Sequence, residues 1–369
     1  MILGNNQEAF FALLRAGLWE TDVQLLPYGD VDYMEVYRIS EEQEVEGLVT
    51  AGMEYVKNVI IPQQDLLTFI GNSLQLEQRN KAMNEFVARL IDKLRKNDVY
   101  CLLVKGQGVA QCYEKPMWRA AGDIDLYLSS SNYEKAKSVL FPIAESVEHE
   151  DKKRLHQGME IGSWVVELHG SLHTGISRKI NAVLDEVHHD LFYNGSVRSW
   201  NNNRVQIFLP DADNDVIIIF SHFINHFYGE GVGLRQICDW CRLLWSYREK
   251  INKKKLELRL KKMGLMTEWR AFAAFAVEYL GMPVTAMPFY SDSSSFSRKA
   301  RRICKVVLET GSFGVNNEVY CRNSSSKMKY YILTFWTRLK GFSRLSTIFP
   351  VNAPRFFVTY TIGRITAIL

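Results

Sequence analysis

The stretch RAAGDIDLYL, from Arg119 to Leu128, places two aspartates one residue apart in an apolar run. The short run DIDLYL predicts a strand over 123–128. Alternate side chains of a strand share a face, so we expect Asp123 and Asp125 to project the same way, with Cα atoms about 6.6 Å apart. Two such carboxylates repel each other and are costly to desolvate without a cation. The stretch therefore predicts a cation site on a strand.

A second interpretation gives these acids purely structural roles. Asp123 would cap the turn after Gly122, and Asp125 would pair with Arg119. A lone Asp-x-Asp most often has such roles, so the neighbouring segments have to decide between the two interpretations.

A third acid favours the cation site. The run SWVVELHG predicts another strand of the same unit, and it carries Glu167. Mg²⁺ prefers a few hard oxygen ligands and keeps its other positions for water and phosphate. Three carboxylates from two strands are a common way to carry two metal ions about 3.5 to 4 Å apart for displacement at phosphorus.

The segment LLVKGQGVA, residues 102–110, favours a phosphate ligand. It ends a strand at Lys105 and Gly106 and continues directly into a helical pattern. This order offers backbone N–H groups and the charge of Lys105 to a phosphate. Arg119 could add a forked contact to a triphosphate.

The chain around this unit has a helical pattern. Strands are predicted near 99–104, 123–128 and 163–169, and SSSNYEKAKSVLF predicts a helix between the last two. Residues 287–297, MPFYSDSSSFS, are typical of a linker. The predicted regions are an N-terminal helical region (1–97), an α/β core (98–175), a helical domain closing the cleft (176–290) and a basic, aromatic-rich C-terminal helical region (291–369).

Composition and charge limit the partners. The chain has 369 residues, 47% of them hydrophobic, and its net charge of +4 is too small to indicate nucleic acid by itself. MILGNNQEAFFALL has no basic segment followed by a clean apolar run, so we expect no secretory signal and a cytoplasmic protein with reduced cysteines. The burst DVIIIFSHFINHF is too short and too interrupted to cross a bilayer.

The C-terminal segment 322–369 carries eight basic residues among many aromatics and no acid. Three interpretations stay open for it. It could form a helical subdomain with a solvated basic face, make peripheral contact with the inner membrane surface, or bind nucleic acid.

Several smaller signals also have two interpretations. Cys238 and Cys241 have the spacing of zinc ligands but no second pair nearby, so a helix interior is the alternative. His222 and His226 could ligate a metal, or could be buried or partner-bound histidines. His169 shares the face of Glu167 and could touch a phosphate, orient the carboxylate, or simply pack.

These motifs together resemble a known family. The run KGQGVAQCYEKPMWRAAGDIDLYL, then VVELHGSLH, then HFYGEGVGLRQICDWCRLL is similar to the uncharacterised nucleotidyltransferase family of the polymerase-beta-like superfamily. The matching positions are Lys105-Gly106, Tyr113, Pro116, Arg119 and Gly122 to Leu126. The resemblance covers roughly residues 10 to 280. Many superfamily members have Gly-Ser or Gly-Gly where this chain has Gly106-Gln107.

The resemblance implies an α+β fold, with a palm-like nucleotidyltransferase core embedded in helical N- and C-terminal regions. It implies transfer of NMP from an NTP to an acceptor such as a small molecule, a glycan intermediate, a protein or RNA. It also implies Mg²⁺ or Mn²⁺ as cofactor. The residues implied are Asp123, Asp125 and Glu167 for metal and catalysis, Lys105, Gly106, Gln107, Arg119, Gly122 and Arg235 for the nucleotide, and His169, His226 and Asp239 for support.

Arg235 and Asp239 lie four residues apart, so a plain helix-surface pair is the simpler interpretation of these two. Two functions of other classes remain open for the whole chain. One is a degenerate module that binds a nucleotide without turning it over. The other is a scaffold or membrane-surface protein acting through its basic C-terminal region.

Overall fold

A computed structural model describes residues 3–229, 231–312 and 341–359 of the chain. It has helices packed around a mixed sheet, which confirms the predicted α+β class. The helices are α1 (Asn5–Trp19), α2 (Tyr33–Glu42), α3 (Glu46–Met53), α4 (Gln63–Arg95), α5 (Gly106–Ala110), α6 (Ser130–Leu140), α7 (Arg178–Phe192), α8 (Ala212–Gly229), α9 (Leu234–Ser246), α10 (Lys253–Met263), α11 (Met266–Leu280) and α12 (Ser294–Thr310). Residues 341–348 and 352–359 are also helical.

The central sheet has five strands in the order β1-β2-β5-β4-β3. Strand β2 pairs antiparallel with β1 and parallel with β5, and β4 and β5 form an antiparallel hairpin. These strands are β1 (Cys101–Val104), β2 (Asp123–Leu128), β3 (Ser146–Val147), β4 (His156–Ile161) and β5 (Trp164–His169). All three predicted strands and the helix α6 are present.

Several elements differ from the sequence-based expectation. Strands β3 and β4 were not predicted, because β3 is only two residues long and β4 (HQGMEI) mixes polar residues and a glycine with its apolar ones. A separate hairpin of β6 (Val197–Asn202) and β7 (Val205–Pro210) lies in the region predicted to be helical. The predicted linker ends early, because Ser293 caps α12, its hydroxyl oxygen accepting a hydrogen bond from the Ser295 N–H.

Two apolar cores hold the fold together. The larger one joins helices from α1 to α12 with the C-terminal helical residues, and Trp240 and Trp269 are fully buried in it. The smaller one lies between the sheet, α4, α6 and the β6-β7 hairpin. The N-terminal and C-terminal helical regions therefore share one core, while the boundaries between the four predicted regions stay a prediction.

Helices α1 and α3 approach each other closely at two glycines. A Cβ on Gly17 would lie 1.9 Å from the Leu48 carbonyl oxygen, and one on Gly52 would lie 1.9 Å from the Leu13 carbonyl oxygen. Only glycine fits at such backbone-to-backbone contacts. This contact fixes the N-terminal helices against each other.

Of the basic C-terminal segment 322–369, only 341–359 is described, so its predicted membrane or nucleic-acid contact lies largely outside the described residues. Within 341–359, Phe349 and Phe356 are buried, and both rings contact Tyr228 of α8. Among the described helices, none is both long enough and apolar enough for a membrane span.

Candidate active site

Three carboxylates meet on two neighbouring strands. Asp125 of β2 and Glu167 of β5 are register partners in the parallel pair, and Asp123 lies two residues earlier on β2. One oxygen from each of the three carboxylates lies within 4.8 Å of the others. Strand alternation places Asp123 and Asp125 on one face, as the sequence predicted. The structure therefore brings the three predicted acids together.

Lys105 lies at the same place, in the turn between β1 and α5. Its ammonium is 2.6 Å from Asp125 Oδ1, and the Asp125 side chain is only 2% exposed. The backbone of Lys105 has φ +57°, an unusual conformation for a residue with a side chain, and Gly106 follows with φ +38°. Such strain is typical of functional sites. It aims the ammonium at the acids.

Burial and the neighbouring charges shift the pKa values of Lys105 and Asp125 in opposite directions. Burial alone would lower the pKa of Lys105, but Asp125, Asp123 and Glu167 outweigh it and raise that pKa. Burial would raise the pKa of Asp125, but Lys105 and His169 outweigh it and lower that pKa. The pair is therefore ionised at neutral pH, and Asp125 does not pair with Arg119 as the structural interpretation required.

Asp123 has a different environment. It is partly exposed, and the negative charge of Asp125, followed by burial, raises its pKa. The three carboxylates face one ammonium, which leaves two formal negative charges before any imidazole is protonated. This excess charge and the donor set of hard oxygens suit a divalent cation such as Mg²⁺.

Two histidines, His156 and His169, lie next to Glu167. His169 Nε2 is 2.7 Å from Asp125 Oδ1 and 3.4 Å from Glu167 Oε2, and His156 Nε2 is 3.1 Å from the same Oε2. Burial would raise the pKa of Glu167, but the contacts with His156 and His169 hold it far below its usual range. Burial would lower the pKa of His169, but the contacts with Asp125 and Glu167 raise it.

His156 was not identified from the sequence. It is the register partner of His169 across the β4-β5 hairpin, whose two-residue turn is Gly162-Ser163. The signal was present in HQGMEIGSWVVELH, where the two histidines stand at equal distances from that turn. It could be used only once β4 was known to be a strand.

Part of the predicted phosphate-binding turn is buried against α4. The Gln107 residue is buried, and its side chain donates to Asn80 Oδ1 at 2.9 Å and so does not point to solvent. Gly122 is exposed at the start of β2, next to Asp123. Helix α5 has only five residues. Roles for Gly106, Gln107 and Gly122 toward a nucleotide stay predictions.

Arg119 lies in a buried network that ties the core to α9. Its guanidinium makes a bidentate pair with Asp239, at 2.9 Å and 2.5 Å, and the Tyr113 hydroxyl donates to Asp239 at 2.8 Å. The Arg119 and Asp239 side chains are only 4% and 5% exposed. A contact between Arg119 and a triphosphate would require this pair to open, and it stays a prediction.

Arg235 is likewise not on a helix surface. It forms an ion pair with Glu44 at 2.9 Å and donates to the Ala120 carbonyl at 3.0 Å, beside the Asp-x-Asp strand. Arg235 and Asp239 are both buried, so the interpretation of a helix-surface pair is wrong. The electrostatic attraction of Arg235 also acts on Asp123, which places α9 near the acids.

His222 and His226 of α8 are partly buried, with ring centroids 4.5 Å apart. Burial, together with the nearby charge of Lys105, lowers the pKa of His226 to about 4 and that of His222 well below its usual value. Both imidazoles are therefore neutral beside the acidic site. Neither belongs to a group of three ligating side chains within the described residues.

Cys238 and Cys241 lie buried in α9, as the interpretation of a helix interior expected. All five cysteines of the described part of the chain are unpaired and buried. Burial raises the pKa of both thiols of the CDWC motif. Buried thiols with raised pKa values fit packing in a helix interior.

Comparison with known proteins gives a family match for most of the chain. A family model described as an uncharacterised nucleotidyltransferase matches residues 29–281, which include the sheet, the three acids and α9. Neither the curated proteins nor the solved structures gave a match. The matched range leaves out α1, α12 and the C-terminal helical residues.

Proposed function

The chain belongs to the uncharacterised nucleotidyltransferase family, and from this we propose that it transfers a nucleoside monophosphate from an NTP to an acceptor. The observation that carries the proposal is the convergence of Asp123, Asp125 and Glu167 on adjacent strands, within 4.8 Å of one another. Carboxylates in this arrangement suit displacement at a phosphorus atom, which needs concentrated positive charge on both the attacking and the leaving oxygen.

The three carboxylates would hold the divalent ion, Mg²⁺ or Mn²⁺. When bound, the ion would neutralise phosphate charge and lower the pKa of the acceptor hydroxyl. The donor set fits, because it consists of hard oxygens around an uncompensated negative charge. Exposure of Asp123 leaves this set open on one side.

Side chains of the protein would bind the phosphates and position the reacting groups. Lys105 would move from Asp125 to the phosphates, and Arg235 supports the acids from α9. The acceptor oxygen forms a bond to the α-phosphorus while the bond to the β-phosphate oxygen breaks and pyrophosphate leaves. Glu167 would complete the acid set that holds the ion next to the acceptor hydroxyl, whose proton passes to solvent, and His169 would hold Asp125 and Glu167 in place through its Nε2.

A second candidate function is a nucleotide-binding module without turnover. It is favoured by one observation: both cations predicted to hold phosphates already have carboxylate partners, Lys105 on Asp125 and Arg119 on Asp239. A module of this kind would bind an NTP and release no pyrophosphate.

A transfer assay separates these functions. The full-length protein is incubated with each α-labelled NTP, Mg²⁺, and cell fractions containing small molecules, glycan intermediates, RNA or protein. The proposal expects pyrophosphate release and label on one class of acceptor, both lost in Asp125→Asn and kept in the surface control Asp185→Asn. Binding without release in any fraction would support the module instead.

A further inference from the structure

Two imidazoles and one carboxylate converge beside the three acids. His156 of β4 and His169 of β5 are register partners, and their Nε2 atoms lie 3.1 Å and 3.4 Å from the same Glu167 Oε2, with His169 Nε2 also 2.7 Å from Asp125 Oδ1. The three donor atoms lie within 4.8 Å of one another. The ring centroids are 4.9 Å apart with the planes tilted by 40°.

These separations match those of ligands around one ion. Two ligands about 2.1 Å from a metal at tetrahedral angles lie about 3.4 Å apart. Two histidines and one glutamate are also a known ligand set of zinc sites that keep an open position. Imidazole nitrogen suits Zn²⁺ and related transition ions, whereas Mg²⁺ prefers oxygen.

The site is also rigid and accessible to an ion. All three side chains project from paired strands of one sheet, which hold them better than loops would. Their side chains are 31%, 25% and 13% exposed for His156, Glu167 and His169. The hydrogen bonds of His156 with Glu167 and of His169 with Asp125 explain the position of each ring separately. A shared ion would also explain why both rings present the same nitrogen to one oxygen.

We propose that His156, Glu167 and His169 form a cation position of their own, which takes Zn²⁺ or a similar transition ion. It is distinct from the oxygen set of Asp123, Asp125 and Glu167, and Glu167 belongs to both. The proposal goes beyond the nucleotidyl transfer proposed above, because this position needs no nucleotide.

The test uses full-length protein stripped with a chelator, without nucleotide. Calorimetric titration with Zn²⁺ is expected to show one ion per chain, and Co²⁺ is expected to give the visible absorption bands of a site with nitrogen ligands. His156→Ala and His169→Ala should each weaken Zn²⁺ binding by about 100-fold, because each removes a ligand. His189→Ala, on the exposed face of α7, is the control.

Asp123→Asn separates this proposal from the proposed function. It leaves the histidine set complete, so Zn²⁺ binding should persist even where NTP binding is lost. The Co²⁺ spectrum of the unmutated protein keeps the test valid if a histidine variant fails to fold. Absence of Co²⁺ bands, or equal Zn²⁺ affinity in His156→Ala, His169→Ala and His189→Ala, would overturn the proposal.

Discussion

Asp125 and Glu167 are register partners on two parallel strands, so two acids 42 positions apart in the chain become direct neighbours in one sheet. Their spacing follows from strand pairing and not from a loop. Lys105 reaches the same point from the turn after β1. The site therefore combines a frame of paired strands with the ammonium of Lys105, and the first prediction concerns that ammonium.

Replacing Lys105 with methionine should have opposite effects on the affinities for metal and for nucleotide. The ammonium is 2.6 Å from Asp125 Oδ1, where it competes with any bound ion. Lys105→Met should therefore tighten Mn²⁺ binding without nucleotide by about 10-fold, equivalent to about 1.4 kcal/mol, and should weaken NTP binding. Calorimetry of both ligands measures the two effects.

Lys137→Met is the matched control, because Lys137 pairs with Glu134 and Glu150 on the α6 side of the sheet. It should change neither affinity. Weaker Mn²⁺ binding in Lys105→Met would contradict competition between the ammonium and the ion.

Removing one partner of the buried Arg119–Asp239 pair should strongly destabilise the chain. Asp239→Asn would leave the Arg119 guanidinium buried without its charge partner, which typically costs about 3 to 5 kcal/mol of unfolding free energy. Tyr113→Phe removes only one hydrogen bond, so it should cost about 1 kcal/mol. Urea unfolding monitored by circular dichroism measures both losses.

Asp185→Asn serves as the surface comparison, since Asp185 pairs with His173 and is 65% exposed. Its effect should stay below about 1 kcal/mol. Similar costs for Asp239→Asn and Asp185→Asn would show that the buried pair does not hold α9 to the core.

Stability should fall in acid because of His226. Its pKa is lowered to about 4 in the folded chain, while the unfolded value is about 6.5. Between these values only the unfolded chain takes up the proton, so the free energy of unfolding drops as pH falls, by up to about 1.4 kcal/mol per pH unit. His222 contributes with the same sign.

His226→Gln should therefore lose less stability than the unmutated protein between pH 6.5 and pH 4, measured by urea unfolding in chelator. The raised pKa of His169 acts in the opposite direction, stabilising at low pH, but it is common to both proteins. His189→Gln, which changes an exposed histidine, controls for general charge effects. Parallel pH curves for His226→Gln and the unmutated protein would rule out this effect.

Two glycines on helices should respond oppositely to alanine. Gly52→Ala would press a Cβ onto the Leu13 carbonyl, which α1 and α3 can relieve only by separating, so we expect a loss of about 3 kcal/mol or more. Gly71 lies in α4 with open space around its Cβ position, so Gly71→Ala should stabilise the chain by up to about 1 kcal/mol. Thermal unfolding of both variants measures the contrast, and a mild effect of Gly52→Ala would contradict the close helix contact.

The sequence predicted the strands that carry the three acids better than it predicted which side chains contact one another in the site. Asp123, Asp125 and Glu167 could be found because each lies in a short apolar run that can only be a strand. The partners of Lys105, Arg119 and Asp239 could not, because they depend on how distant elements pack.

Unpredicted strands and packing against a distant helix explain the remaining differences. His156 and the β6-β7 hairpin lie in segments where polar residues obscure the alternation, so neither was predicted. The family resemblance implies a nucleotide contact for Gln107. Its burial against Asn80 depends on α4, which lies far earlier in the chain.

The most direct test of the central claim is calorimetric titration of ATP, GTP, CTP and UTP with Mg²⁺ into the full-length protein and into Asp123→Asn/Asp125→Asn. The surface variant Asp185→Asn/Glu186→Gln has the same charge change and serves as control. We predict Mg²⁺-dependent binding of at least one nucleotide to the unmutated and control proteins, and none to Asp123→Asn/Asp125→Asn. Equal binding to all three proteins, or binding to none, would contradict the assignment of these acids as a metal and nucleotide site.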